Sequence, residues 1–140
     1  MTLSTYLMFD GNCAAAFEFY KSVFGGDFIA YRKFSDGPPE LSGNPEIRDW
    51  IMHVSLPVGS SILMASDTVP GSGPPLKAGN NFAISYLPTS RGDADAKFKN
   101  LSKDGVVTME IQETFWNSYF GSCIDQFGTH WMINLPLEAQ

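Results

Sequence analysis

The feature that most constrains the fold is the order of elements on either side of a Pro- and Gly-rich segment, residues 69–75 (VPGSGPP), which divides the chain nearly in half. Each half contains a β-like run, one amphipathic stretch and then three further β-like runs. A single four-stranded piece would expose an apolar face unless it packed on or joined another. The sequence therefore predicts an α+β fold of two βαβββ modules within one domain, with module 1 at about 1–68, a linker at about 69–79 and module 2 at about 80–140.

In module 1 the apolar residues predict one helix. Cys13, Ala16, Phe17, Tyr20 and Phe24 fall on one helical stripe that Asn12 precedes as a candidate N-cap and that Gly25 and Gly26 end. The strands of this module are predicted at 3–9, 27–34, 49–58 and 61–66. Residues 35–48 are predicted to be a loop without regular structure, of a length typical of lids and binding loops.

In module 2 the same reasoning predicts a helix at 93–103 and strands at 81–87, 106–111, 119–125 and 131–135. The repeat can be tested inside the sequence, because residues 57–64 align with 126–133 on a shared glycine turn. This alignment places Leu63 opposite Met132.

Composition excludes several classes of function. The net charge of -6 disfavours nucleic acid as a partner, since such proteins need a Lys/Arg patch. No apolar run has the length of a membrane span, and residues 1–12 lack the pattern of a signal peptide, so we expect a cytoplasmic protein without a membrane partner. Cys13 and Cys123 are interpreted as free thiols.

Three segments resemble a known family: YLMFDGNCAAAFEFYKSVFGG (6–26), MHVSLPVGSSILMASD (52–67) and VTMEIQETFWNSYFGSCIDQFGTHWMIN (107–134). They are similar to the PhnB-like branch of the vicinal oxygen chelate superfamily, which includes glyoxalase I, bleomycin-resistance proteins and extradiol dioxygenases. The resemblance implies two βαβββ modules that form an open, curved mixed sheet around a pocket. It also implies a homodimer.

The resemblance further implies a divalent metal, held in characterised members by His or Glu on the first and last strands of each module. Strands 3–9 and 61–66 contain neither residue, and Leu63 and Met132 stand where carboxylates would be. Because a site needs at least three suitable protein ligands, we expect no metal and no other cofactor. The alternative is a nonstandard divalent-metal site built from His53, His130 and a nearby carboxylate such as Glu113 or Asp125.

Members of this branch often carry a methyltransferase name. A nucleotide-like cofactor usually sits where a strand runs through a Gly-rich turn into a helix N-terminus. Gly25 and Gly26 end a helix instead of opening one, so the sequence gives no support for such a cofactor.

Strand alternation predicts which side chains line the pocket. The residues expected under a helix are Trp50, Met52, Val54, Leu56, Phe82, Ile84, Tyr86, Trp131, Ile133 and Leu135. Those left on the concave side are Ile51, His53, Ser55, Asn81, Ala83, Ser85, His130, Met132 and Asn134. This predicts a small-molecule pocket lined by uncharged polar groups, thioethers and two histidines.

Two groups of residues are candidates for function. His53 is the candidate general base, because histidine exchanges protons near neutral pH, although the sequence favours a hydrogen-bonded structural role. The same two interpretations apply to His130, and the structural one is favoured more strongly there. Phe115, Trp116 and Tyr119, with Phe120, are candidates for an aromatic wall against a planar ligand, or else belong to the core or a dimer interface.

These observations predict a small-molecule-binding protein or an enzyme that works without the usual metal, and the sequence does not separate the two. One alternative is a metal-dependent isomerase, lyase or dioxygenase with a nonstandard site. The other is a structural or regulatory dimer with a vestigial pocket.

Overall fold

The computed structural model describes residues 1–138 and consists of two compact units, unit 1 spanning Met1–Lys77 and unit 2 beginning at Ala78. The boundary falls within the segment assigned to the linker. Each unit forms its own four-stranded mixed sheet, so the predicted α+β class and βαβββ order are confirmed. No helix within the described residues is long and apolar enough to cross a membrane.

Unit 1 has the sheet order β1-β4-β3-β2, in which β1 runs parallel to β4 and the other pairs are antiparallel. Its elements are β1 (Thr5–Phe9), α1 (Cys13–Phe24), β2 (Ala30–Lys33), α2 (Pro39–Ser42), β3 (Ile51–Val58) and β4 (Ser61–Asp67). The prediction that residues 35–48 lack regular structure is wrong, because the 3-10 turn Phe34–Asp36 and the one-turn helix α2 lie there. Proline in the first turn of α2 costs no hydrogen bond, which explains a helix in so Pro-rich a segment.

Unit 2 repeats this arrangement with the order β5-β8-β7-β6. Its elements are β5 (Ile84–Tyr86), α3 (Arg91–Ser102), β6 (Val106–Glu113), β7 (Ser118–Ile124) and β8 (His130–Pro136). Helix α3 begins at Arg91 and not at the predicted Asp93, because the Ser90 side chain accepts a hydrogen bond from the Asp93 backbone N–H and so caps the helix two residues earlier.

The two helices pack on their sheets through stripes of different size. In α1, Cys13, Ala16, Phe17 and Tyr20 are fully buried, as their spacing predicts, and Val23 is buried in place of Phe24. In α3 the buried residues are Ala94, Phe98 and Leu101. Because its apolar stripe is larger, α1 contributes more buried apolar surface to the core of unit 1 than α3 contributes to the core of unit 2.

The start of α1 is held by Asp67, which the sequence did not single out. Asn12 occupies the N-cap position but makes no capping hydrogen bond with its side chain. Instead Asp67 Oδ1 accepts from the backbone N–H groups of Gly11 (2.9 Å) and Cys13 (3.0 Å), and Oδ2 accepts from that of Ile51 (2.8 Å). One buried carboxylate therefore joins the end of β4 to the start of α1 and the start of β3.

Candidate ligand-binding faces

Each sheet has one face covered by the helix of its own unit and one face turned away from it, which we call the distal face. Residues paired across neighbouring strands point to the same face, so the register identifies the distal residues. In unit 1 one distal row consists of Tyr6, Met64, Ser55 and Ala30. In unit 2 the matching row consists of Ser85, Met132, Ser122 and Met109.

The matching rows correct the internal alignment by one residue. Met64, and not Leu63, occupies the position of Met132. Met64 of β4 pairs with Ser55 of β3, and Met132 of β8 pairs with Ser122 of β7. A slip of one residue reverses the face of every side chain. Accordingly Leu63 is buried, whereas Met132 is 40% exposed.

His53 lies on the distal face of unit 1 in a chain of hydrogen bonds. Its Nε2 lies 2.8 Å from Ser55 Oγ, and its Nδ1 lies 3.4 Å from the Tyr6 hydroxyl, with the two rings 5.8 Å apart. Ser55 is buried and Tyr6 is partly exposed. The imidazole is thus fixed at both nitrogens, with the phenol at the exposed end of the chain.

The strict alternation predicted for residues 49–58 is wrong at its beginning. Ile51, assigned to the concave side, is completely buried, and Trp50 precedes the strand and packs on Gly11. The register shows the cause: Arg32 pairs with His53, but the next residue pairs with Ile51, so Met52 forms a bulge. A bulge adds one residue and shifts the alternation that precedes it.

Arg32 is a distal residue that the sequence reasoning missed. It pairs directly with His53 across β2 and β3, and its side chain is exposed. The sequence places Arg32 in a predicted strand, but it does not show that Arg32 lies opposite His53. That pairing, which the fold provides, is what brings Arg32 to the candidate site.

On the distal face of unit 2, an aromatic pair lies beside an unsatisfied amide. Phe120 pairs with Asn134, and the Trp116 ring packs edge-on against Phe120 with centroids 5.6 Å apart. Asn134 Oδ1 is buried and has no hydrogen-bond partner within residues 1–138. Buried acceptors in folded proteins are normally paired, so this atom requires an explanation.

The other aromatic candidates have different surroundings. Phe115 is 97% exposed and packs edge-on against Trp116, with the ring centroids 5.0 Å apart. Tyr119 faces α3, where its hydroxyl donates to Asp95 and Arg91 lies over its ring. The hydrogen bond to Asp95 raises the pKa of Tyr119. Trp116 and Phe120 are therefore the aromatic candidates that lie beside Asn134 on the distal face.

The remaining candidates lie along β5 and β8. Ser85 is exposed beside Met132, and His130 begins β8 opposite Ile124, half-buried. His130 belongs to unit 2 and His53 to unit 1. His53 therefore has Tyr6 and Ser55 as neighbours, whereas His130 lies opposite Ile124.

The donor set does not fit a divalent metal. The distal side chains on the first and last strands are those of Tyr6, Met8, Ile62, Met64, Ser66, Ser85, His130, Met132, Asn134 and Pro136, which include one imidazole and no carboxylate or thiolate. Across residues 1–138 no three His, Cys, Asp or Glu side chains are close enough to hold a metal ion. Thiolate, imidazole and carboxylate are the ligands such sites require.

The two carboxylates considered for a nonstandard site have other roles. Asp125 is buried and accepts hydrogen bonds from the backbone of Phe127 and Thr129 and from the Trp131 indole. Glu113 pairs with Arg91. Neither carboxylate is available as a ligand without the loss of these contacts.

Both cysteines are free and buried. Burial, followed by the charge of Asp125, raises the pKa of Cys123 to about 11. Burial, followed by the charge of Asp67, also raises the pKa of Cys13. Since the thiolate is the reactive form, neither is a candidate nucleophile.

Known proteins are similar to this chain over nearly their whole length. Protein YjdN of Escherichia coli is 32% identical over 143 residues, covering 96% of this chain and 95% of YjdN. The crystal structure of PA1353 from Pseudomonas aeruginosa is 36% identical, with a TM-score of 0.86 and 99% of each chain covered. A PhnB protein from Bacillus cereus, described as a putative 3-demethylubiquinone-9 3-methyltransferase, has a TM-score of 0.75 at 20% identity over 96% of this chain and 99% of its own, and so shows the fold alone.

The family assignment rests on the sequence itself. Residues 2–133 match the profile of the Glyoxalase/Bleomycin resistance protein/Dioxygenase superfamily. This confirms the resemblance drawn from the three sequence segments at the level of the superfamily. The chain belongs to the glyoxalase/bleomycin resistance protein/dioxygenase superfamily.

Proposed function

We propose that the protein binds a small planar organic molecule that carries an N–H or O–H donor, on the distal face of unit 2. The observation that carries the proposal is the buried Asn134 Oδ1, which has no hydrogen-bond partner within residues 1–138. A ligand donor would supply the missing hydrogen bond. Trp116 and Phe120 would hold the plane of the same molecule.

The energetics favour a ligand that supplies both contacts. A buried acceptor left unsatisfied costs about 1–3 kcal/mol, so a ligand that pairs with it regains free energy that a purely apolar ligand does not. Trp116 remains 48% exposed although it is a large aromatic residue. Aromatic side chains with one or two placed polar groups are the usual composition of small-molecule sites.

The proposal calls on no metal or other cofactor. Binding by Trp116, Phe120 and Asn134 uses stacking and a hydrogen bond only. The homodimer that the resemblance implies stays a prediction.

Indole and 1-methylindole provide a direct test, because 1-methylindole has a methyl group in place of the N–H donor. We expect indole to bind more tightly, by roughly tenfold for one hydrogen bond to a buried acceptor. Asn134→Leu keeps the side-chain volume and removes the acceptor, so it should abolish the difference between the two compounds. The measurement is titration by two-dimensional NMR, following the three tryptophan indole signals.

Asn100→Leu is the matched control, because Asn100 is an exposed residue on α3, away from the distal face. It should leave both affinities unchanged. Equal binding of the two indoles to the unaltered protein, or an equal loss in both variants, would refute the role of Asn134. No saturable binding of either compound would refute the proposed site.

A further inference from the structure

The distal face of unit 1 carries a second group of side chains, with chemistry different from that of unit 2. Tyr6, Arg32, His53 and Ser55 converge there, and we call them the His53 group. Tyr6 reaches across β4 to His53, and Arg32 lies directly opposite His53 on β2. Residues opposite each other on paired strands have Cβ atoms about 5 Å apart, so the Arg32 side chain begins beside the imidazole that the Tyr6 phenol contacts.

Arg32 brings a positive charge that the protein does not neutralise within residues 1–138. The ion pairs formed by lysine and arginine there involve Lys21, Arg91 and Lys97. The strands β1 to β4 contain a single acidic residue, Asp67, which is buried on the helix-covered side with both oxygens bound to backbone N–H groups. The strands of unit 1 therefore place the positive charge of Arg32, and no negative charge, on the distal face of a protein whose net charge is -6.

One of the two tautomers of His53 leaves a hydrogen-bond donor directed outward from this chain. Ser55 is buried, and its hydroxyl lies 2.8 Å from His53 Nε2. If this hydroxyl donates to Nε2, then Nδ1 carries the proton and donates to the Tyr6 oxygen, which frees the Tyr6 O–H for another acceptor. In this arrangement Ser55 sets the tautomer of His53, and His53 is a positioning residue that orients the Tyr6 hydroxyl.

We propose that the His53 group binds the carboxylate of a small organic acid. The Arg32 guanidinium matches a carboxylate with two parallel N–H donors, and the Tyr6 hydroxyl supplies a third. A monoanion suits one permanent positive charge. The apolar part of the acid would lie on Met8 and Met64, which share this face with Tyr6.

This proposal does not depend on the site on unit 2, and its readout is separate. The chain has two histidines, His53 and His130, so their ring signals in NMR report on one unit each. The probe is benzoate, with benzamide as its uncharged counterpart. Benzoate should shift the His53 ring signals saturably and leave those of His130 in place, and benzamide should have no effect on His53.

Substitutions then identify the groups responsible. Arg32→Met removes the charge and keeps the apolar stem, and it should weaken benzoate binding by at least about tenfold, because a charged bidentate contact is lost. Tyr6→Phe removes the outward donor and should weaken binding by a smaller factor. Arg48→Met is the matched control: Arg48 is exposed in unit 1 but lies outside the strands, and its loss should change the affinity little.

Three results would overturn the proposal. The first is the absence of a saturable shift at His53. The second is an equal loss of binding in Arg32→Met and Arg48→Met, which would mean a general effect of charge. The third is tighter binding of inorganic phosphate than of benzoate, which would contradict the assignment of a carboxylate.

Discussion

The two distal faces share one backbone plan and differ in the side chains placed on it. Where unit 1 has His53 with Arg32 opposite, unit 2 has Phe120 with Gln112 opposite. One face thus offers a positive charge and oriented hydroxyls, and the other offers a neutral aromatic surface. A repeated module therefore fixes positions but not chemistry, and the two proposed sites follow from what each copy places there.

The starts of the two main helices differ in a similar way. In unit 1 the first N–H of α1 is paired by Asp67, which is 54 residues away in the sequence. In unit 2 the Asp93 N–H is paired by Ser90, three residues away. The beginning of α1 therefore depends on completed strand pairing, whereas the beginning of α3 is determined locally.

The largest effect on stability is expected when the side-chain acceptor at the start of each helix is removed. Asp67→Ala leaves three N–H groups, those of Gly11, Cys13 and Ile51, without their acceptor. At about 1 kcal/mol or more for each, we expect a loss of about 3 kcal/mol or more in the free energy of unfolding. Ser90→Ala removes one cap and should cost about 1 kcal/mol. Urea denaturation followed by circular dichroism measures both, and equal losses would show that the remote contact is no stronger than the local one.

A second comparison concerns the centre of each sheet. Ser55 and Ser122 occupy equivalent positions in the two sheets, because each pairs with a methionine of the last strand of its unit. Val54 and Gly121 immediately precede these serines, so they are also equivalent. Val54 is fully buried, but at Gly121 an added Cβ would lie only 2.7 Å from the Phe98 ring. The same Cβ would lie 2.9 Å from Ile111 Cβ, so the glycine is required because Phe98 and Ile111 together fill the space that the valine side chain fills in unit 1.

Gly121→Ala should therefore destabilise the protein by about 1–3 kcal/mol through overpacking. Val54→Ala should destabilise it by a similar amount for the opposite reason, a cavity. Adding Phe98→Leu to Gly121→Ala should recover part of the loss, whereas adding it to Val54→Ala should not. Thermal unfolding of the single and double variants measures this, and additive losses in both pairs would contradict the interpretation.

Local patterns in the sequence predicted the elements, and the family resemblance predicted how they combine. The stripe of α1 was found because Cys13, Phe17 and Tyr20 recur at helical spacing. The roles of Asp67 and Arg32 were not found, because they depend on partners that only the folded register brings together. A one-residue bulge or shift is sufficient to place a side chain on the wrong face, as it did for Ile51 and Leu63.

The smallest effect is expected from a comparison of two ion pairs, Lys97–Asp93 in unit 2 and Lys21–Asp27 in unit 1. Burial raises the pKa of Asp93, but hydrogen bonds from Lys97, the Thr89 N–H and Tyr86 lower it more, so the pKa lies below its usual value. In unit 1, the hydrogen bond from Lys21 also lowers the pKa of Asp27, but that carboxylate is fully exposed and screened by solvent.

A carboxylate with a lowered pKa in the folded state stabilises the protein above the pKa of the unfolded chain, and this stabilisation is lost as the pH falls through the folded value. Asp93→Asn should therefore cost roughly 0.5–1 kcal/mol at neutral pH and progressively less in acid. Asp27→Asn should change the pH profile less, and high salt should remove what difference it makes. Urea denaturation from pH 7 to pH 3 measures both profiles. If Asp27→Asn flattened the profile as much as Asp93→Asn, the contacts around Asp93 would contribute no more than an exposed surface pair.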